Sequence, residues 1–203
     1  MIILDTIIQD SPEWFIEKLG KPSSSKLDRM ITPSGTPSKS RQSYLYELAA
    51  EVVRGKAMES YQSQAMQGGI QKEEESRSLY EFIHDVEVEQ VGMIYPDKQK
   101  RFLASPDGLI NREYGLELKN VLPKTQVYYL LNPNELLKDY FIQVQTCLLV
   151  SEFSRWDLMS NCDGLPPLIL QVERDEAFIA KLKAELESFC TELAGIVNKL
   201  KEL

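Results

Sequence analysis

The chain has 203 residues, 43% of them apolar and 27% charged, with a formal net charge of -8 from 23 Lys and Arg against 31 Asp and Glu. That length suits a single domain over residues 1–203, the composition is that of a soluble globular protein, and no apolar run nears the ~20 residues of a membrane-spanning helix. The acidic balance excludes a passive nucleic-acid-coating protein, which is ordinarily basic, but not an enzyme that meets phosphate through a bound cation.

Met1 to Thr6 carries neither a basic start nor a long apolar stretch, so no secretory signal is expected and the cytoplasm is the expected compartment. Residues 11–20 predict a short amphipathic helix: Ser11 can cap it, Pro12 occupies its first turn and Gly20 ends it. Residues 21–41, rich in Ser, Pro, Thr and Lys, read as a loop with 33–40 as its mobile part. Between residues 11 and 45 six basic residues (Lys18, Lys21, Lys26, Arg29, Lys39, Arg41) face three acids (Glu13, Glu17, Asp28). They fit a phosphate-contacting segment and a solvated surface loop equally well.

Gln42 to Arg54 has an apolar helical face ended by Gly55, and residues 59–85 predict a second long helical region with Gly68-Gly69 as a candidate break. Short strands follow at Val86–Val91, Met93–Tyr95, Phe102–Ala104 after a Pro96-Asp97 turn, and Leu116–Val121. Residues 135–150 return to helix, Trp156–Met159 and Leu168–Val172 read as closing strands, and Phe178–Leu200 as a long amphipathic helix. This order predicts a mixed α/β (α+β) fold, a central sheet flanked by helices. Cys147, Cys162 and Cys190 lack Cys-x-x-Cys spacing and read as thiols in a reducing compartment.

The chemistry concentrates between Ser105 and Lys119. Asp107 sits beside a turn glycine, Gly108, and Glu117 and Lys119 are two residues apart, so they project from one face of a strand while Leu116 and Leu118 face the other. Mg²⁺ takes oxygen ligands, typically one or two carboxylates with water and phosphate. Asp107 and Glu117 supply such a pair, and Lys119 can orient or deprotonate the attacking water. An Asp…Glu-x-Lys spacing recurs by chance about once per ~200 residues. Taken alone it reads more readily as a solvent-facing strand with surface charges, so the flanking segments must discriminate.

Gly69 through Glu81, Ser105-Pro-Asp-Gly108, Leu116-Glu-Leu-Lys119 and Tyr140-Phe-Ile-Gln-Val-Gln145 occur in an order and spacing that resembles the phage lambda exonuclease family, the YqaJ-like viral recombinases of the restriction-endonuclease-like superfamily. Trp14 with Lys18-Leu-Gly20 and Ser25 is similar to that family's opening helix and 5′-phosphate pocket, and Gln171 to Glu176 to the strand leading into its last helix. The resemblance implies a restriction-endonuclease-like core and a Mg²⁺-dependent 5′→3′ double-strand DNA exonuclease, with Mn²⁺ a possible substitute. Asp107, Glu117 and Glu73 would be metal ligands, Lys119 would position the water, and Gln143 would touch the site. Within Glu73-Glu74-Glu75 the register stays open; Arg77, four residues after Glu73, favours Glu73. Ser25, Ser105 and Lys18 would form the 5′-phosphate pocket, with lysine standing where that family has arginine, a point charge in place of a bidentate fork. Double-stranded DNA ends, a homotrimeric ring and a single-strand annealing protein would be its partners, with no membrane. The alternatives are a structure-specific DNA endonuclease on the same fold and a non-catalytic DNA-binding module.

Overall fold

A short strand, β1 (Ile2–Leu4), opens the chain and leads into α1 (Pro12–Lys18). The first helix starts where its chemistry requires: the Ser11 side chain accepts the Trp14 N–H, and Pro12 needs no amide partner. In the computed structural model the backbone is described for residues 1–57 and 64–203, and side chains for residues 1–57 and 72–203. There follow α2 (Arg41–Arg54), α3 (Gln64–His84), β2 (Met93–Tyr95), β3 (Gly108–Ile110), β4 (Tyr114–Asn120), α4 (Pro123–Leu131), α5 (Pro133–Ser151), β5 (Arg155–Asn161), β6 (Leu168–Glu173) and α6 (Glu176–Lys201). β1 and β2 form a small antiparallel sheet, and the main sheet has the order β3-β4-β5-β6. Within it β4 and β5 run parallel and the other two pairs antiparallel. A parallel pair needs a long crossover, which α4 and α5 supply.

Each face of the main sheet carries its own core. On one, α2, α5 and α6 pack over Trp156 and Leu158, with the rings of Tyr44 and Phe189 5.6 Å apart. On the other, Tyr80 of α3 packs with Ile110, Leu116, Leu118 and Met159. β4 therefore turns its leucines toward α3 and its Glu117 and Lys119 the opposite way, the alternation its sequence predicts.

A buried polar joint ties α3 to β5: the Tyr80 hydroxyl donates to Asp157 Oδ2 at 2.6 Å, and the Arg155 fork reaches both Asp157 oxygens at 2.8 and 2.9 Å. Asp157 is buried, so removing its carboxylate leaves the Tyr80 phenol without its acceptor and the Arg155 guanidinium with the Gln171 amide oxygen alone. Asp157→Ala is expected to lower stability by about 2–3 kcal/mol, a figure reduced for the partial exposure of Arg155. A urea midpoint unchanged by the substitution would remove this joint from the account.

Several predicted elements are corrected. Residues 24–29 form a 3-10 helix with Leu27 in the core, and 33–40 is a tied turn in which Ile31 bridges Pro37 and Thr32 exchanges hydrogen bonds with Thr36. Gly68-Gly69 does not break α3, which runs continuously from Gln64; the predicted start at residues 59–63 lies outside the described residues. Val86–Val91 is no strand. Its backbone groups go elsewhere, Val88 N–H to the Glu81 carboxylate at 2.8 Å, and only Glu89 bridges Leu109. Phe102–Ala104 is likewise split between two single bridges, to Ser23 and Ile94. The hairpin turn is not at Asp107-Gly108. It falls at Asn111-Arg112, both with left-handed φ (52° and 57°), and Asp107-Gly108 enters β3 instead.

Candidate active site

The β3–β4 hairpin sets the site. Gly108 pairs with Leu116 and the Asp107 N–H donates to the Leu116 carbonyl at 3.1 Å, so continuing the antiparallel register places Asp107 opposite Glu117. Residues directly opposite share a face with Cβ atoms ~5 Å apart, and like charges there repel. Asp107 Oδ2 accepts the Leu118 N–H at 2.6 Å, while its Oδ1 takes no hydrogen bond among the described residues. Glu117 is buried; its Oε1 accepts from Lys119 Nζ and from Gln143 Nε2, both at 2.6 Å, and its Oε2 is buried without a partner. Burial first, then the charge of Glu117, push the Asp107 pKa well above the usual carboxylate range, against the pull of Lys119. Burial acts to lower the Lys119 pKa, but Glu117 and Asp107 outweigh it and raise it.

Glu73 reaches this centre from α3. Its carboxylate takes Arg77 Nη2 at 2.6 Å, and the Arg77 Nε–H donates to the Asp107 carbonyl at 3.2 Å. Burial raises the Glu73 pKa, with Glu117 and Asp10 adding to the effect and Arg77 opposing it. Glu73 and Glu74 both line a cavity of about 340 Å³ that includes Asp107, Asp10, Arg77 and Gln90. Ser76, one turn along the helix, is buried and donates to Asn120 Oδ1 at 2.6 Å, hooking α3 onto the residue after Lys119.

The residues assigned to a phosphate pocket are spread out. Lys18 lines a cavity of about 240 Å³ with Lys21, Lys26, Ser23 and Asp10, its ammonium 4.2 Å from the Trp14 ring centre, and it makes no ion pair among the described residues. Burial and the neighbouring Lys26 bring the Lys18 pKa down to about 8. Ser25 lines a different cavity, about 420 Å³, together with Gln143 and Tyr140. Ser105 has its Oγ buried without a partner. Other basic residues of this stretch are engaged: Lys26 and Arg29 with Glu47, Arg41 with Glu185 and Glu192.

Sequence reasoning passed over Gln9 and Asp10. Gln9 Nε2 donates to the Val91 and Pro106 carbonyls at 2.9 and 2.7 Å, which pins the N-terminal segment to the residues just before Asp107. Asp10, with φ of 61°, lines both the Lys18 and the Asp107 cavities. Neither residue sits in a periodic or motif context, so nothing in the linear sequence marks it.

Among the described residues no three His, Cys, Asp or Glu side chains converge as a closed metal cage. An oxygen pair with open positions is nonetheless what Mg²⁺ accepts. The orphan Glu117 Oε2 and the opposed, desolvated Asp107 fit a divalent cation, which would relieve their repulsion.

Comparison with known proteins follows the same lines. A family model of the YqaJ-like viral recombinase domain matches residues 13–154. The crystal structure of an alkaline exonuclease, LHK-Exo, from Laribacter hongkongensis is 28% identical over 95% of this chain and 97% of its own, with a TM-score of 0.83. The same exonuclease in complex with dAMP gives 30% identity with the same coverage and TM-score. A phage-related exonuclease from Haemophilus somnus 129PT, 14% identical over 90% of this chain and 96% of its own at a TM-score of 0.69, shares the fold. No curated protein sequence matches.

Proposed function

The chain belongs to the YqaJ-like viral recombinase family, with exonucleases as its structural relatives, and from that premise we propose that it is a Mg²⁺-dependent 5′→3′ double-strand DNA exonuclease. It would leave 3′ single-strand overhangs for recombination by strand annealing. The observation that carries the reading is the hairpin pairing of Asp107 with Glu117, one oxygen of which is buried and unclaimed, beside Lys119.

Asp107 and Glu117 would hold the cation, with Glu73 completing the site from α3. When bound, the metal would supply Lewis-acid polarisation of the phosphate and lower the pKa of a coordinated water. Gln143 fixes the Glu117 carboxylate through Oε1, which leaves the unpartnered Oε2 for the cation. An ammonium has three donors and no acceptor. Lys119 directs one at Glu117 and keeps the others for the attacking water or a phosphate oxygen. Ser105, with its unpartnered Oγ, and Lys18 would meet the 5′-terminal phosphate, and Ser25 would contact the strand from the cavity beside Gln143.

Family likeness alone supports a homotrimeric ring around the duplex, an annealing-protein partner, Mn²⁺ as substitute and a cytoplasmic location. No described helix is long and apolar enough to cross a membrane.

The test is digestion of linear duplex DNA, labelled at one end and bearing a 5′-phosphate or a 5′-hydroxyl, with Mg²⁺ or EDTA. Metal-dependent release of mononucleotides from the phosphorylated 5′ end is expected. Nicks within circular DNA would shift the reading to a structure-specific endonuclease, and no cutting would shift it to a DNA-binding module.

The same assay carries a pH prediction. Lys18 has its pKa lowered to about 8, so its charge is full well below that pH and lost as pH rises through it. Preference for a 5′-phosphate is expected to fall between about pH 7 and about pH 9.5, and Lys18→Arg to keep it throughout, because a guanidinium does not titrate there. A preference in the parent that stays flat over this range would remove Lys18 from the pocket.

A further inference from the structure

Gln143 and Tyr140 lie three residues apart on α5, so they share a helix face, and that face meets the Glu117–Lys119 pair. Gln143 takes the carboxylate. The Tyr140 ring lies under the ammonium, with Lys119 Nζ 4.7 Å from the ring centre and 2.6 Å from Glu117 Oε1. Tyr140 packs against the main core and walls the cavity that holds Ser25 and Gln143. Its neighbour Tyr129, buried in α4, donates its hydroxyl to Asp139 at 2.6 Å, so the loop side of this wall is braced as well.

A lysine has four rotatable bonds, and three open N–H directions do not by themselves select one rotamer. Among the described residues one carboxylate oxygen holds the Lys119 ammonium. We infer that Tyr140 is a positioning residue for Lys119: its ring face holds the ammonium against Glu117 and blocks its swing into the Ser25–Gln143 cavity. This deepens the exonuclease reading, since Lys119 matters for that reaction only if the chain cuts DNA. A cation over a desolvated ring is held mostly through the ring quadrupole.

The first test needs neither metal nor DNA. In protein carrying ¹³C-lysine, the Lys119 ε-methylene resonance is expected upfield of the other lysines by the Tyr140 ring current, and Tyr140→Leu is expected to return it to the common position. A resonance already at the common position in the parent overturns the inference. The second test is kinetic. Tyr140→Leu, apolar but without a π face, is expected to lower kcat about ten-fold with KM for duplex DNA unchanged. Tyr140→Phe should recover most of that loss, and phenylalanines of increasing fluorination at position 140 should lower kcat stepwise as the quadrupole weakens. A flat fluorination series, or a loss carried by KM alone, overturns the inference, the latter assigning Tyr140 to DNA contact. A parent that cuts no DNA defeats the exonuclease reading, and the resonance shift still decides whether the ring holds the ammonium.

Discussion

Asparagine in place of Asp107 is expected to abolish metal-dependent digestion of duplex DNA and at the same time to raise the melting temperature of the metal-free protein. The two effects share one cause. Asp107 and Glu117 are opposed across an antiparallel pair in a desolvated site, an arrangement that is useful to a cation and unfavourable without one. Asparagine keeps an oxygen for the Leu118 N–H and places a neutral amide opposite Glu117. The loss of a metal-held carboxylate is worth several kcal/mol of transition-state stabilisation, or ~10³-fold in rate. The gain in the metal-free form is ~1 kcal/mol, which for a chain of this length is roughly 2–4 °C. Calorimetry in EDTA and then with Mg²⁺ separates the two: the parent should gain stability on adding Mg²⁺ and the variant should not. A variant that digests DNA within ten-fold of the parent, or that melts several degrees lower in EDTA, sinks the assignment. Lys119→Ala is the companion. It should cost about 10²–10⁴-fold in rate while Glu117 keeps its bond from Gln143, so the fold stays intact.

Alanine at Gly115 should be the most damaging single methyl in the molecule's active hairpin. Gly115 lies near the start of β4 opposite Trp156 of β5, and a Cβ there would lie 2.3–2.4 Å from three atoms of the indole ring. Trp156 is fully buried, so it cannot turn away. Overpacking of this kind costs about 1–3 kcal/mol, and the strain falls on the strand that carries Glu117 and Lys119 two and four residues on. The melting temperature is expected to drop by roughly 5–10 °C, with a parallel loss of activity. Gly195→Ala is the control. That glycine lies inside α6 with open space where a Cβ would go, and alanine there should stabilise by up to ~1 kcal/mol. Equal responses at the two positions would show that the indole contact does not constrain the hairpin.

The elements that were legible beforehand are those with strong local signals. Ser11, Pro12 and Gly20 bracket α1, Gly55 ends α2 with a left-handed φ of 64°, and the apolar faces of α2, α5 and α6 repeat at helical spacing. α4 was missed because Pro123 to Leu131 exposes Leu131 and Val127 and buries Gln126, inverting the pattern that marks an amphipathic helix. Gln126 is buried because Ser160 and Pro166 give it partners, which only the fold supplies. β1 and β3 are three residues each, too short for alternation to register. The hairpin turn was misplaced for a related reason. Asp-Gly is the commoner turn pair, yet Gly108 is a strand residue paired with Leu116, and glycine stands there because a Cβ would lie 2.0 Å from Val88 Cγ1.

For the site, the sequence by itself determined the chemistry of the strand: Glu117 and Lys119 share a face because a strand alternates, and Leu116 and Leu118 bury the other. The family resemblance, not the spacing, pointed to Gln143, whose amide donates to Glu117. Gln145 instead receives the Asp175 N–H and donates to the Glu173 carbonyl, tying β6 to α6. Only the tertiary structure decided which carboxylates come together. Asp107 meets Glu117 through the register of a hairpin whose turn lies four residues downstream, and Glu73 comes to line the same cavity as Asp107 because Ser76 and Arg77 fasten α3 to β4 and to the Asp107 carbonyl. Gln9, Asp10 and Tyr140 join from segments far apart in sequence. Such pairings depend on long-range burial and hydrogen-bond satisfaction, which no local propensity encodes, while residue type and two-residue alternation are properties of the chain before it folds.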